Sequence, residues 1–165
     1  MIIQTERLIL IPLSVHQLEL WVHDLQKLEQ ELRCTYDAGP LEGEFKDTVK
    51  GQLTIAQKDS RNYLFYSFWL ILRKNDRVVI GSADFKGTPN ENGEVEIAYD
   101  IGEKYLHHGY LAESIESLCY WAKKQPRVRS ILVETERNNL ASQKILSQCG
   151  FYKEKIEDSI WWRLA

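Results

Sequence analysis

Hydrophobic and polar positions in the first third of the chain predict one short strand followed by two helices. The apolar run Leu8–Pro12 is typical of a strand that stops at its proline. Over residues 15–32, apolar side chains recur every three or four positions, which predicts one long amphipathic helix with Ser14 as its N-terminal cap. Residues 33–45 contain glycine and proline and are predicted to form a loop, and a second helix is predicted from about Phe45 to Lys58.

The middle of the chain changes to the period of strands. Its alternation predicts three consecutive strands, at Tyr66–Arg73, Arg77–Phe85 and Glu94–Ile101. The polar triplet at residues 74–76 indicates a hairpin between the first two, and the glycine-containing segment 87–93 is typical of a turn before the third. The three strands are therefore expected to form a meander.

The last third returns to a helical period and then to strands. A helix is predicted to begin at Gly109, because five apolar residues after it have helical spacing: Leu111, Ile115, Leu118, Cys119 and Ala122. The remaining predicted elements are a strand, a short helix ended by Gly150 and a final hairpin, at Ser130–Thr135, Ala141–Gln148, Phe151–Ile156 and Ile160–Leu164. This order predicts a mixed α/β (α+β) fold, with about four helices on both faces of one central sheet of about six to seven strands.

Composition is that of an ordinary one-domain protein. The 165 residues fit a single domain over 1–165, with 44% hydrophobic and 27% charged residues and no apolar run of bilayer-spanning length. A net charge of −3 argues against nucleic acid as the main partner. The N-terminus lacks the features of a signal peptide, and three cysteines without a Cys-x-x-Cys pair are typical of reduced thiols. We therefore expect a cytoplasmic protein without a membrane partner.

The segment from Tyr99 to Glu113 carries the most informative chemistry. A predicted strand leads through a short loop into Gly109, where the predicted helix begins. A glycine allows a ligand to approach the backbone closely, and the first N–H groups of a helix point outward at the positive end of its dipole. This combination suits a phosphate or a pyrophosphate group.

Four local motifs span nearly the whole chain. Thr5–Leu8 reads T-E-R-L, Glu96–Tyr99 reads E-I-A-Y, and His108–Glu113 reads H-G-Y-L-A-E. Asn138–Ser142 reads N-N-L-A-S, and Cys149–Phe151 follows it with C-G-F. Together these segments resemble the GNAT superfamily of N-acetyltransferases, and within it the branch that contains the ribosomal-protein N-terminal acetyltransferases.

The resemblance implies a mostly antiparallel mixed sheet and an acetyl-CoA site at its glycine loop. The backbone N–H groups of six consecutive residues would bind the pyrophosphate: His107, His108, Gly109, Tyr110, Leu111 and Ala112. The pantetheine arm would pair with the exposed edge of the preceding strand at Ile101, as an added strand would. Asn139 would donate a side-chain hydrogen bond to that arm, although a pair of asparagines is equally typical of a turn or helix cap.

Three leucines depart from the family pattern. Leu106 and Leu111 stand where a polar and a small residue are usual, so the side chain of Leu111 is expected to point away from the ligand, into the sheet. Many family members also have a tyrosine general acid where this chain has Leu146. The pyrophosphate site is therefore expected to depend on backbone geometry, and another group must act as the acid.

Acetyl transfer to an amine requires a neutral amine and a proton for the leaving thiolate. Glu96 is the candidate general base, acting through water, or else it is an exposed strand carboxylate. Tyr99 either donates to the thiolate, lines the acceptor pocket or packs in the core. Ser142 either protonates or hydrogen-bonds the thiolate or caps the last helix.

These residues predict an acetyl-CoA-dependent N-acetyltransferase that works by direct transfer in a ternary complex. The acceptor is expected to be a primary amine, either a protein N-terminus or a small amine, and the alternative is a non-catalytic acyl-CoA-binding protein with the same fold. Residues 19–48 carry eight acidic and three basic side chains, which either attract a cationic amine or form a solvated surface. No metal site is expected, and the protein is expected to be a monomer or a homodimer.

Overall fold

A computed structural model describes all residues, 1–165, as nine strands, five α-helices and two 3₁₀ helices. The strands are β1 (Ile3–Gln4), β2 (Leu8–Pro12), β3 (Thr35–Tyr36), β4 (Phe68–Arg73), β5 (Val78–Phe85), β6 (Glu94–Ile101), β7 (Ser130–Glu136), β8 (Tyr152–Ile156) and β9 (Ser159–Leu164). The α-helices are α1 (Val15–His23), α2 (Leu25–Leu32), α3 (Gly43–Lys58), α4 (Tyr110–Lys123) and α5 (Leu140–Gln148). The 3₁₀ helices cover Ser60–Phe65 and Glu103–Tyr105.

The strands form one mixed, mostly antiparallel sheet in the order β1-β2-β4-β5-β6-β7-β9-β8. Only two pairs are parallel, β6 with β7 and the short β3 with β5. The predicted fold class is therefore confirmed. The sheet has more strands than predicted because β1 and β3 are two residues long, too short to produce a period in the sequence.

The prediction of one continuous helix over residues 15–32 is wrong, because the chain breaks at Asp24. The Asp24 backbone is extended, with φ −153° and ψ 76°, and its N–H still donates to the Leu20 carbonyl at the end of α1. Its side chain accepts a hydrogen bond from the Lys27 N–H and so caps α2. The apolar spacing continues across this break, which is why periodicity alone did not reveal it.

Helices cover both faces of the sheet, and each face has its own core. In β4, Trp69 and Ile71 face the core under α4 and α5, whereas Phe68 and Leu70 face the core under α1 and α3. Because β4 is buried on both faces, its sequence is continuously apolar instead of alternating. Full burial of each such side chain contributes roughly 1.5–3 kcal/mol to folding. None of the helices combines the length and apolar character needed to cross a membrane.

Strands β6 and β7 pair over only three residues and then separate. Their register ends at Glu96 opposite Leu132, after which β6 pairs with β5 alone and β7 with β9 alone. The Glu96 carbonyl accepts from the Lys86 N–H of the β5 side at 2.9 Å. Since alternate residues of a strand direct their backbone groups to opposite edges, the N–H and C=O groups of Tyr99 and Ile101 face the gap. This free edge leads from the sheet centre to the start of α4.

Candidate active site

The loop before α4 presents a row of unpaired backbone donors. Gly109 is the N-cap of α4 with φ +80°, and His107 is also in the left-handed region with φ +67°. The first hydrogen bond of the helix runs from the Glu113 N–H to the Gly109 carbonyl, at 3.1 Å. No N–H from His107 to Ala112 has an acceptor within the chain. Six donors at the positive end of a helix dipole form a strong anion-binding arrangement.

The N-terminal segment fixes the conformation of this loop. The Arg7 guanidinium donates to the His108 carbonyl at 2.9 Å and to Glu113 at 2.8 Å, and it lies 4.5 Å from the centre of the Tyr110 ring. The Thr5 hydroxyl and the Arg7 N–H also donate to the Glu113 carboxylate. Burial acts to raise the pKa of Glu113, but these hydrogen bonds outweigh it and hold the pKa below its usual value. The T-E-R-L segment thus neutralises the one carboxylate in the first turn of α4.

A cavity of about 460 Å³ lies between the loop and α5. It is lined by six of the eight residues predicted to bind the donor: Ile101, His107, Gly109, Tyr110, Leu111 and Ala112. The ring of His108 instead lies near Tyr110, with the ring centres 5.6 Å apart, and only its backbone N–H is available to a ligand. Lys144 and Gln148 of α5 also line the cavity and were missed, because nothing in their sequence context distinguishes them from surface residues.

The leucines that depart from the family pattern are accommodated in the structure. Leu111 is 8% exposed and packs into the core of its face, as expected from its position after Gly109. Leu106 contributes its side chain to the cavity wall. Leu146 is fully buried in the core, so α5 has no acid at this position.

Tyr99 and Ser142 meet beside the gap between β6 and β7. Their hydroxyl groups share a hydrogen bond, and Ser142 is 7% exposed. Burial raises the pKa of Tyr99, and the hydrogen bond with Ser142 acts in the opposite direction. The alternative reading of Ser142 as a helix cap is wrong, because the cap of α5 is Asn139, whose side chain accepts from the Ser142 N–H at 3.1 Å. Asn139 therefore has the cap role that the sequence left open.

Glu96 lies on the other face of the sheet, at the last paired position before the gap opens. Its carboxylate is 3.1 Å from the Lys86 ammonium group, and its side chain is 24% exposed. Glu96 is therefore a partly solvated, ion-paired carboxylate at the point where the two strands separate. This position suits a base that acts through water, although the ion pair explains the residue equally well.

Asp84 is a second carboxylate on that face, and sequence reasoning missed it. It lies on β5 directly opposite Ala98 of β6 and is 5% exposed. Burial raises the pKa of Asp84 to about 7, with Lys86 acting to lower it and Glu96 to raise it. The available signal was a charged residue within the otherwise small and apolar strand Val78–Phe85.

The loop between β3 and α3 is anchored to the 3₁₀ helix that follows β6. Asp37 pairs with the Lys104 ammonium group at 2.5 Å and accepts a hydrogen bond from the Tyr105 hydroxyl. Hydrogen bonds from Lys104 and Tyr105 hold the pKa of Asp37 below its usual value. The acidic segment after α2 is thereby held next to the candidate donor site. No group of three or more histidine, cysteine or acidic side chains is arranged to hold a metal ion.

Comparisons with known proteins agree with this geometry. An uncharacterized N-acetyltransferase of Bacillus subtilis, YjdG, is 34% identical over 86 residues, which are 52% of this chain and 51% of that protein. The chain therefore spans about half the length of this relative. A solved structure of RimL, a ribosomal L7/L12 α-N-protein acetyltransferase in complex with coenzyme A, has a TM-score of 0.70 and 17% identity, over 99% of this chain and 97% of that one.

A second solved structure has the same fold at low sequence identity. The ribosomal-protein-S5-alanine acetyltransferase from Vibrio fischeri has a TM-score of 0.71 and 15% identity, over 99% of this chain and 96% of that one. The family model described as acetyltransferase (GNAT) domain matches residues 7–152, which is most of the chain. On this match, with the splayed strands and the glycine loop before α4, the chain belongs to the GNAT acetyltransferase family.

Proposed function

We propose that the protein is an acetyl-CoA-dependent N-acetyltransferase that transfers the acetyl group directly to a primary amine. The observation that carries the proposal is the run of six unpaired N–H groups from His107 to Ala112 beside the cavity. A helix N-terminus alone would suit any anion. The adjoining free strand edge and the family match favour a ligand that combines a pyrophosphate with an extended amide-containing arm.

The residues present fit coenzyme A in composition as well as in shape. The six N–H groups would bind the pyrophosphate, and the Lys144 side chain adds a cation to the same cavity. The backbone groups of Tyr99 and Ile101 on the free edge of β6 would pair with the amides of the pantetheine arm. Asn139 uses its side-chain oxygen as a cap, which leaves only its amide N–H₂ for this arm.

When bound, acetyl-CoA supplies an activated acetyl thioester. The chain's own task is to move two protons. Glu96, at the start of the gap, would accept a proton from the acceptor ammonium group through water, because an alkylamine with a pKa near 10 is almost fully protonated at neutral pH. The hydrogen-bonded hydroxyl groups of Tyr99 and Ser142 would donate a proton on the other side of the gap.

The cysteines favour direct transfer over a covalent enzyme intermediate. Burial raises the pKa of Cys119 to about 12 and that of Cys149 to about 11, and it also raises the pKa of Cys34. These groups are therefore protonated thiols at neutral pH, whereas the thiolate is the nucleophilic form. Acetyl transfer within one ternary complex needs no such nucleophile.

Two measurements test the proposal. Titration calorimetry should give a micromolar dissociation constant for acetyl-CoA, and a screen of amines and N-terminal peptides should show acetyl-CoA-dependent thiol release. Absence of acetyl-CoA binding would refute the proposal. Binding without turnover of any amine or peptide would instead identify a non-catalytic acyl-CoA-binding protein.

The role of Glu96 has its own test. Glu96→Gln should lower turnover most at low pH, where the free amine is scarce, because the variant cannot accept the proton. Glu134→Gln on the exposed surface of β7 is the matched control. A pH profile of Glu96→Gln that is parallel to that of the unmodified protein would eliminate Glu96 as the base.

A further inference from the structure

A row of polar residues on the face under α1 and α3 begins where β6 and β7 separate. Glu96, Ala98 and Asp100 follow one another on the same face of β6, and Asp84 of β5 lies directly opposite Ala98. Ala98 is half-buried and Asp100 is exposed, so this row opens to solvent along β6. Its inner wall on β5 is buried, and the small side chain of Ala98 leaves room between the carboxylates.

The Asp84 carboxylate has no partner in the protein. It is 5% exposed and makes no hydrogen bond or ion pair, because the nearby Lys86 ammonium group pairs with Glu96 instead, at 3.1 Å. A carboxylate removed from water without a cation or hydrogen-bond donor is unfavourable in its ionised form. Asp84 is therefore matched to a positively charged group that the chain itself does not supply.

The neighbouring wall of this row is aromatic. Phe68 of β4 lies directly opposite Asp84, and the rings of Trp21 and Phe45 lie 5.4 and 5.9 Å from the Phe68 ring. The buried indole N–H of Trp21 also has no hydrogen-bond acceptor. Such a wall suits a chain of methylene groups, and the faces of aromatic rings attract cations.

We propose that the acceptor is an aliphatic diamine whose reacting nitrogen lies beside Glu96 and whose second nitrogen is bound as a cation by Asp84. Residues on the same face of a strand repeat every ~6.7 Å, close to the separation of two nitrogens joined by about four methylene groups. A peptide N-terminus brings only one amine and no second cation at this spacing. The inference rests on the proposed function and names the acceptor of the same site.

Matched ligands and variants can test this assignment. In the presence of coenzyme A, titration calorimetry should show diaminobutane binding at least tenfold more tightly than pentylamine, in which a methyl group replaces the second ammonium group. Asp84→Asn should reduce the affinity for diaminobutane at least tenfold and bring the two ligands within about threefold of each other. Asp158→Asn, an exposed substitution in the β8–β9 turn, removes the same charge and should keep the preference.

The same comparison in the acetyl-transfer assay should give a higher kcat/KM for diaminobutane than for pentylamine, and Asp84→Asn should remove most of the difference. Equal affinities of the unmodified protein for the two amines, or an unchanged preference in Asp84→Asn, would overturn the inference. Turnover of peptides or monoamines without a diamine preference would leave the proposed function standing and refute only the diamine. Loss of acetyl-CoA binding in the unmodified protein would refute the proposed function itself.

Discussion

A negative charge placed among the unpaired N–H groups should block donor binding without unfolding the protein. Ala112 is in the first turn of α4, half-buried, and lines the cavity, so the carboxylate of Ala112→Asp would point toward the expected pyrophosphate. Two like charges about 6 Å apart repel by roughly 1.4 kcal/mol at an effective dielectric constant of about 40. A pyrophosphate carries about two charges, and salt at 0.1 M screens about half of the total. The expected loss is therefore about 1.5–3 kcal/mol, or roughly a tenfold to hundredfold rise in the dissociation constant.

The fold should tolerate this substitution, because an acidic residue in the first turn of a helix interacts favourably with the dipole by about 0.3–1 kcal/mol. Glu113 already occupies this turn, but its charge is neutralised by Arg7, a partner that the new carboxylate lacks. Gln26→Asp, in the first turn of the exposed helix α2, is the matched control. The assay is acetyl-CoA titration calorimetry at low and high salt. A dissociation constant for Ala112→Asp within twofold of the unmodified protein at low salt would refute the assignment of the loop.

Three further substitutions have defined outcomes. Asn139→Ala removes the cap of α5 and should cost about 1 kcal/mol, lowering the melting temperature by roughly 2–4 °C, whereas Asn138→Ala, which removes no cap, should change it little. Tyr99→Phe should lower kcat about tenfold or more while the acetyl-CoA dissociation constant stays within about twofold, and an unchanged kcat would exclude the Tyr99–Ser142 pair as proton donor. Because the pKa of Asp84 is raised from 3.8 to about 7, its contribution to stability is complete below pH 4 and is lost as the pH rises to 7. Asp84→Asn should therefore raise the melting temperature by several degrees more at pH 8 than at pH 5, on the order of 2 kcal/mol, and equal gains at both pH values would contradict the raised pKa.

Predictions from the sequence were most accurate where the cause is local. The bounds of β6 and the start of α4 at Gly109 agree with the structure, because alternation and the left-handed glycine are properties of neighbouring residues. The break at Asp24 was missed because both helices have their apolar residues on a continuous stripe. The cap role of Asn139 could be stated only as one of two alternatives, since the direction of a side chain depends on the backbone around it.

The sequence by itself determined the order of elements, the two buried faces and the glycine loop whose N–H groups have no acceptor. These features depend on periodicity and on hydrogen bonds over a few residues. Only the tertiary structure decided which side chains meet at the site, such as Thr5 with Glu113, 108 positions apart, and Asp84 opposite Ala98. Strand register is set by the packing of the whole sheet, and a shift of one residue would turn Asp84 to the other face. For that reason, the candidate residue for the acceptor's charge became visible only in the folded chain.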